Sequence, residues 1–433
     1  RRDFLKYVGF STTAAALAAC EGPVIKSVPY VVQPEQIRPG IANYYATAIA
    51  DGFDFASILV KTREGRPIKI ESNNDASDFC SANARVHASV LSLYDTKRIQ
   101  TPKVRGQDSS WDELKYEVLL DLNAASKKQG KVVLLTQTFA SPTTNKIIKD
   151  LVTKFPNIEH IILDTVPSSY AVESFKDAYG FEGLVDYDFS KSDFIVSVDA
   201  DFLGDWQGGG YDTKYVSNRV PDRKNRKGRM SKHVQFESNM TLTGANADIR
   251  VPATPTEQKK ILSYIYSEVK GLNSKTKLSP EQKKNAKFAA DGIKKFGSKA
   301  VIVSGLDDKN VQDLILDLNN HIRSLAIENS ARLTRTQSGN EVDFFIKELL
   351  DGKISGLITV GLNPVYSLSE GEKIKKAISD LDFSLSFSMK EDETSSVCKY
   401  IAAAPHYLES WGDYEFKEGQ YFLAQPTIRP LFN

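Results

Sequence analysis

The chain has 433 residues, 41% apolar and 26% charged, with 56 basic side chains against 55 acidic ones. That length buries more than one core and predicts two or three domains. The balanced charge excludes a one-signed field that would draw the chain to nucleic acid, so no nucleic-acid partner is expected.

The chain opens Arg1-Arg2-Asp3-Phe4-Leu5-Lys6, followed by a mildly apolar stretch over 7–19. That is the layout of an export signal, and Arg-Arg-x-Phe-Leu-Lys fits the twin-arginine consensus, a route that carries folded proteins. Leu17-Ala18-Ala19-Cys20 then reads as a lipoprotein cleavage site, with Cys20 as the lipid-attachment residue. A diacylglycerol there would bury methylenes worth about 0.8 kcal/mol each at a membrane surface. Cleavage with acylation and retention of the signal both stay open. The apolar stretch is too short to cross roughly 30 Å of hydrocarbon, and no later window is long enough, so attachment is expected through Cys20, the signal or partner subunits.

Residues 21–50, rich in Pro and Val near their start, read as an extended arm. Residues 55–62 and 67–71 alternate apolar and polar side chains on either side of Arg63-Glu64-Gly65-Arg66, a hairpin signal that places a small β-containing domain over 51–109. From Lys131 onward, short β-branched runs alternate with helical patterns. The runs are Val132-Val133-Leu134-Leu135, Ile161-Ile162-Leu163, Phe194-Ile195-Val196-Ser197-Val198, Val301-Ile302-Val303 and Leu357-Ile358-Thr359-Val360. Ser141 is a helix N-cap with Pro142 at the first helical position. This grammar predicts parallel sheets built from βαβ units, as two α/β lobes over 110–270 and 286–433 joined by the lysine-rich stretch 270–284. The stretch 219–229 holds six basic residues, either a solvated loop or a docking loop for an acidic neighbour.

Standard cofactor motifs are absent from the sequence: neither a G-x-G-x-x-G after a strand nor a phosphate-binding G-x-x-x-x-G-K-[ST] occurs. Gly208-Gly209-Gly210 follows the Phe194 strand and Trp206, at the position where open α/β sheets bind ligands; a flexible loop is the competing reading. Cys20, Cys80 and Cys398 include no close pair, so no cluster or structural metal is expected. Cys80 and Cys398 can pair only in an oxidising compartment, and free thiols are the simpler reading. His87, His160, His233, His321 and His406 show no metal spacing and no serine elbow is present, so no catalytic residue is assigned.

Read together and in order, several segments resemble the molybdopterin oxidoreductase superfamily over nearly everything after Asp51. They are Leu93-Tyr94-Asp95 with Arg98 and Pro102, Ser110-Trp111-Asp112-Glu113, Thr243 through Arg250, Gly361-Leu362-Asn363-Pro364-Val365-Tyr366, Asp392-Glu393-Thr394, and His406 through Asp413 with Gln425-Pro426-Thr427-Ile428. The resemblance implies a molybdopterin-oxidoreductase-like α/β fold and a ligand cleft between the lobes, with Trp206, Gly208, Gly209, Asn363, Pro364 and Tyr366 as its candidate residues. The departures matter as much: catalytic members hold a [4Fe–4S] cluster on a cysteine quartet, and only Cys80 stands in that neighbourhood here.

A twin-arginine signal, a lost cluster motif and retained lobes resemble the large fused subunit of alternative complex III. That implies a structural, non-catalytic chain without a cofactor of its own. It also implies an iron–sulfur portion following it, and integral membrane quinol-binding and multihaem cytochrome c subunits as partners on the periplasmic face. Two other readings stand beside it: an active molybdenum or tungsten bis-pterin oxidoreductase of the polysulfide- or tetrathionate-reductase type, and a free-standing ligand-binding lipoprotein.

Overall fold

The computed structural model describes residues 37–432, apart from 53, 77, 128, 129, 205 and 221–229. The export-signal residues Arg1 and Arg2, the lipidation candidate Cys20 and most of the basic loop lie outside the described residues.

Strands β1 (Ala42–Asp51), β2 (Asp54–Arg63) and β3 (Arg66–Ser72) form a three-stranded antiparallel sheet. The β2–β3 turn is the one the sequence predicts: Glu64 and Gly65 both take positive φ, 52° and 78°, matching the twist of the flanking strands. The expected arm over 21–50 needs correction, because β1 pairs with β2 from Ala42↔Arg63 to Asp51↔Asp54. Its small alanines blur the alternation of inward and outward residues, which is why the strand reads as loop.

The chain then forms β4 (Lys103–Val104), β5 (Gln107–Asp108), α1 (Trp111–Lys127), β6 (Val132–Thr136), α2 (Pro142–Lys154), β7 (Ile158–Ile162) and α3 (Ser169–Tyr179). Ser141 caps α2 as expected, accepting from the Thr144 amide at 3.1 Å. The chain next leaves this sheet for β8 (Phe194–Val198), β9 (Lys232–Glu237) and β10 (Ile249–Pro252), then α4 (Pro255–Lys270), α5 (Pro280–Phe296), β11 (Ala300–Ser304) and α6 (Lys309–Ile322). It returns through α7 (Gly339–Leu350), β12 (Gly356–Val360), α8 (Gly371–Ser379), β13 (Phe383–Ser388) and β14 (Tyr400–Ala403), and closes with the hairpin β15 (Gly412–Lys417) and β16 (Gln420–Ala424).

Two sheets result: a seven-stranded one in the order β5-β4-β14-β13-β12-β6-β7, and a four-stranded parallel one in the order β10-β9-β8-β11. The division expected at 270–284 is therefore not the division the sheets make. The four-stranded lobe is inserted into the seven-stranded one, whose adjacent strands β6 and β12 come from opposite ends of the insertion, Gly356 beside Val132. Residues 271–279 join two helices of one lobe, since α4 and α5 bury Ile261, Leu262, Ile265, Ala286, Ala290 and Ile293 in the same core against β8. Sequence shows where strands occur, not which sheet each enters, and the insertion is invisible to it.

The strands are buried on both faces, as parallel sheets require. Phe194, Val196 and Val198 of β8 enter one core while Ile195 enters another, rich in aromatic rings. Strand β9 escapes a hydropathy reading for a specific reason. Val234 and Phe236 point into the apolar core, but His233, Gln235 and Glu237 on its other face are fully buried and linked side chain to side chain. A polar ladder satisfied internally reads as surface until its partners are known.

Candidate functional site

The carboxyl ends of β8 and β11 open toward the seven-stranded lobe, the place where open α/β sheets receive ligands. A cavity of about 210 Å³ lies there, lined by Val166, Asp199, Asp201, Trp206, Asp307 and Arg335 among others. Its floor is electrostatically mixed. Burial raises the Asp199 carboxyl against the hydrogen bond from Gln258, and burial likewise raises Asp307. Burial pulls the Arg335 guanidinium down to about 10, opposed by Asp164 and Asp54. Arg335 donates to the carbonyls of Val166 at 2.9 Å and Thr334 at 2.6 Å.

On the other side of Trp206 runs the glycine triplet. Gly208, Gly209 and Gly210 all hold positive φ, 87°, 74° and 84°, a conformation that turns successive peptides outward and that side chains resist. In a ligand-binding chain such a run lets backbone approach a bound group. Here other side chains meet it: a Cβ on Gly208 would stand 3.0 Å from the Phe55 ring, and one on Gly210 3.2 Å from the Phe79 ring. Those rings belong to the small N-terminal sheet and the loop after it, and they pack with Phe416 of the closing hairpin at centroid distances of 5.2 and 5.1 Å.

Carbonyls at and just before the run are also taken. Arg332 donates through Nη1 to the carbonyls of Gln207, at 3.1 Å, and Gly209, while Thr334 Oγ1 donates to Gln207 at 3.0 Å. The Arg332 side chain is 3% exposed, lies 3.9 Å from the Tyr211 ring centroid and pairs with Asp186 at 3.1 Å. Lys417 of the hairpin shares the same carboxylate at 2.8 Å. Burial opposes the Lys417 ammonium, but Asp186 outweighs it and its pKa is raised.

The structure separates the cleft residues that the sequence groups together. Trp206 lines the cavity and stacks loosely on Tyr187 and Tyr211, with centroids 5.5 and 5.4 Å apart, while Gly208 and Gly209 sit in the packed region. Asn363, Pro364 and Tyr366 lie at the end of β12 and do not line the Trp206 cavity, whose first-lobe wall is the segment 166–171 with Arg335. Asn363 caps a four-residue helix, accepting from Thr394 Oγ1 at 2.8 Å and donating to Glu393 at 2.6 Å. Pro364 is buried and Tyr366 is 80% exposed.

The segment from His406 to Asp413 works as a clasp. Glu409 holds the buried guanidinium of Arg98 by two bonds of 3.1 and 2.7 Å, and His406 Nε2 lies 3.0 Å from Ser92 Oγ. Asp413 accepts from Ser141 Oγ at 2.8 Å and from Thr143, fastening the hairpin to the start of α2. Cys80 and Cys398 are free thiols, and burial pushes the Cys398 thiol up to about 12. Sequence reasoning missed Phe55, Phe79, Arg332 and Arg335. An arginine pair flanking Leu333-Thr334 inside an otherwise polar stretch is the only signal, and nothing local says that it is buried.

Catalytic members of the family that the sequence resembles hold a molybdenum or tungsten bis-pterin cofactor, and the residues facing the glycine run do not fit one. The Phe55 and Phe79 rings stand against Gly208 and Gly210, where a bound group would approach the backbone. Among the described residues, no group of three or more His, Cys, Asp or Glu side chains is placed to hold a metal ion. No helix among them is long and apolar enough to cross a membrane.

No family model matches the chain. It is 21% identical, over all of its length and 70% of the other's, to the molybdopterin-binding-like subunit of menaquinone reductase from Nitratidesulfovibrio vulgaris. It is 24% identical, over 46% of its length and 25% of the other's, to the molybdopterin-containing subunit of arsenate respiratory reductase from Shewanella sp. strain ANA-3. Among solved structures it resembles acetylene hydratase from Pelobacter acetylenicus, with a TM-score of 0.66 at 12% identity over 89% of this chain and 67% of that one. The fold is thus the molybdopterin-oxidoreductase-like α/β fold expected from the sequence, with a small N-terminal β sheet.

Proposed function

We propose that this chain is a non-catalytic, molybdopterin-oxidoreductase-like portion of a membrane-attached, quinone-linked respiratory complex of the alternative complex III kind. In this reading it carries no cofactor and holds iron–sulfur and haem-bearing neighbours at electron-transfer distance. The observation that carries the proposal is the filled concave face of the glycine run, where Phe55, Phe79 and Arg332 stand against backbone that the fold otherwise offers to a ligand. The relative matching along the whole chain supports it: its name is molybdopterin-binding-like and joins it to a menaquinone reductase. The twin-arginine start and Cys20 support a place for the chain on the periplasmic face of an inner membrane, held by a lipid or by integral subunits.

The competing reading is an active molybdenum or tungsten oxidoreductase, favoured by the half-chain likeness to a respiratory reductase and by the Trp206 cavity. Elemental mass spectrometry of the detergent-purified native assembly separates the two. The proposal expects iron with neither molybdenum nor tungsten in proportion to this chain. Near-stoichiometric molybdenum or tungsten overturns it.

A further inference from the structure

The helical face covering the four-stranded sheet carries a charge pattern that the scaffold role alone does not explain. Between positions 255 and 299 the sequence has eleven lysines and four acidic residues, although the whole chain is almost neutral. Helices α4 and α5 run parallel: Gln282 Nε2 donates to Glu257 at 2.8 Å near their N-termini, and Lys294 lies 3.9 Å from Glu268 toward their C-termini. The connector 271–279 returns alongside α4, with Thr276 Oγ1 3.4 Å from Ser263 Oγ. Three lysine-bearing segments thereby lie side by side.

Some of these lysines have local partners. Lys259 pairs with Asp308, Lys270 with Asp317, Lys287 with Asp291 and Lys299 with Asp193. Lys260, Lys275, Lys277, Lys283, Lys284 and Lys295 are exposed and make no ion pair among the described residues. Like charges crowded together destabilise a folded chain slightly, and exposed pairs return only about 0–1 kcal/mol, so the pattern does not serve folding. The face is also poor in apolar side chains that could insert into lipid, Leu272 and Phe288 being its large exposed ones. A charged surface without an apolar wedge suits a protein partner of opposite sign better than a bilayer.

We propose that the outer surface of α4, α5 and their connector is an electrostatic docking surface for an acidic protein subunit of the same assembly. The inference rests on the chain working within an assembly, but not on the absence of a cofactor. The test is zero-length carbodiimide cross-linking of the detergent-purified native assembly, which joins lysine amines to carboxylates only at contact. Cross-linked peptides should join Lys275, Lys277, Lys283 or Lys284 to Asp or Glu of another protein. Their yield should fall about tenfold between about 0.1 M and about 1 M salt, as the screening length shrinks from about 10 to about 3 Å. A K275E/K277E/K283E/K284E variant should lose co-purification of the cross-linked partner at about 0.1 M salt while its melting temperature stays close to that of the parent. Cross-links confined to this chain overturn the proposal. So does binding to phosphatidylglycerol vesicles that the variant abolishes without any intersubunit cross-link, which would assign the face to a membrane. Molybdenum found in the assembly would remove the scaffold reading and leave these cross-links in place.

Discussion

The two sides of the Trp206 loop differ in a way that bears on function. Toward Asp199 and Asp307 the loop borders an open cavity of about 210 Å³, whereas toward Gly208 and Gly210 it is pressed against Phe55, Phe79 and a buried guanidinium. The backbone of the two sides is continuous, and the glycine conformations that would suit a bound ligand persist. The two sides differ in what faces that backbone. A fold can keep the backbone that a ligand site needs while side chains from a distant segment occupy the ligand's place, so the backbone alone is a poor guide to the site.

The sharpest way to break this comparison is to empty the packed side. Arg332→Ala takes the donor from the Gly209 carbonyl and one of two cations from Asp186, with Lys417 still on that carboxylate and Thr334 still donating to Gln207, and losing a buried hydrogen bond to a charged group costs about 1.5–3 kcal/mol. Urea unfolding should show a loss of that size; a loss under about 1 kcal/mol would mean that the guanidinium is not part of the packing. Phe416→Ala removes the ring between Phe55, Phe79 and Phe422 and should lower stability by about 3 kcal/mol. If it instead left stability unchanged, the closing hairpin would not be packed on the glycine run.

A third prediction concerns pH. Burial holds His233 and His406 down at about 4, against an ordinary value of 6.5. The unfolded chain therefore takes up protons below about pH 6.5 that the folded chain refuses until about pH 4. Stability is at its full value above that window and falls as pH drops through it, by about 2 kcal/mol for each histidine at pH 5. His406→Gln should flatten part of this slope in urea titrations between pH 7 and pH 5, and an unchanged slope would count against a buried neutral imidazole. The smallest effect is expected on the open surface: Tyr366→Ala, at a residue 80% exposed, should shift stability by no more than about 0.5 kcal/mol. A larger loss would mean that the end of β12 is part of a packed interface.

The sequence carried the strand–helix grammar, the β2–β3 turn and the Ser141 cap, because each rests on local chemistry. It did not carry the insertion of one lobe in the other, since β6 and β12 look alike whichever sheet they join. Nor did it reveal β9, whose buried His233, Gln235 and Glu237 satisfy one another and so imitate a surface strand. The site was legible only in part. Gly208 and Gly209 were singled out by position and lie beside Trp206, but Asn363, Pro364 and Tyr366 lie outside the Trp206 cavity, and the rings against the glycine run come from segments far away in sequence.

The central claim is that side chains of this chain occupy the space the fold reserves for a cofactor. High-resolution electron cryomicroscopy of the native, detergent-purified assembly tests it most directly at the glycine run. The account predicts ring density for Phe55 and Phe79 in contact with Gly208 and Gly210, with Arg332 bridging to Asp186. Density for a pterin against those glycines, with the two rings turned away, would contradict it.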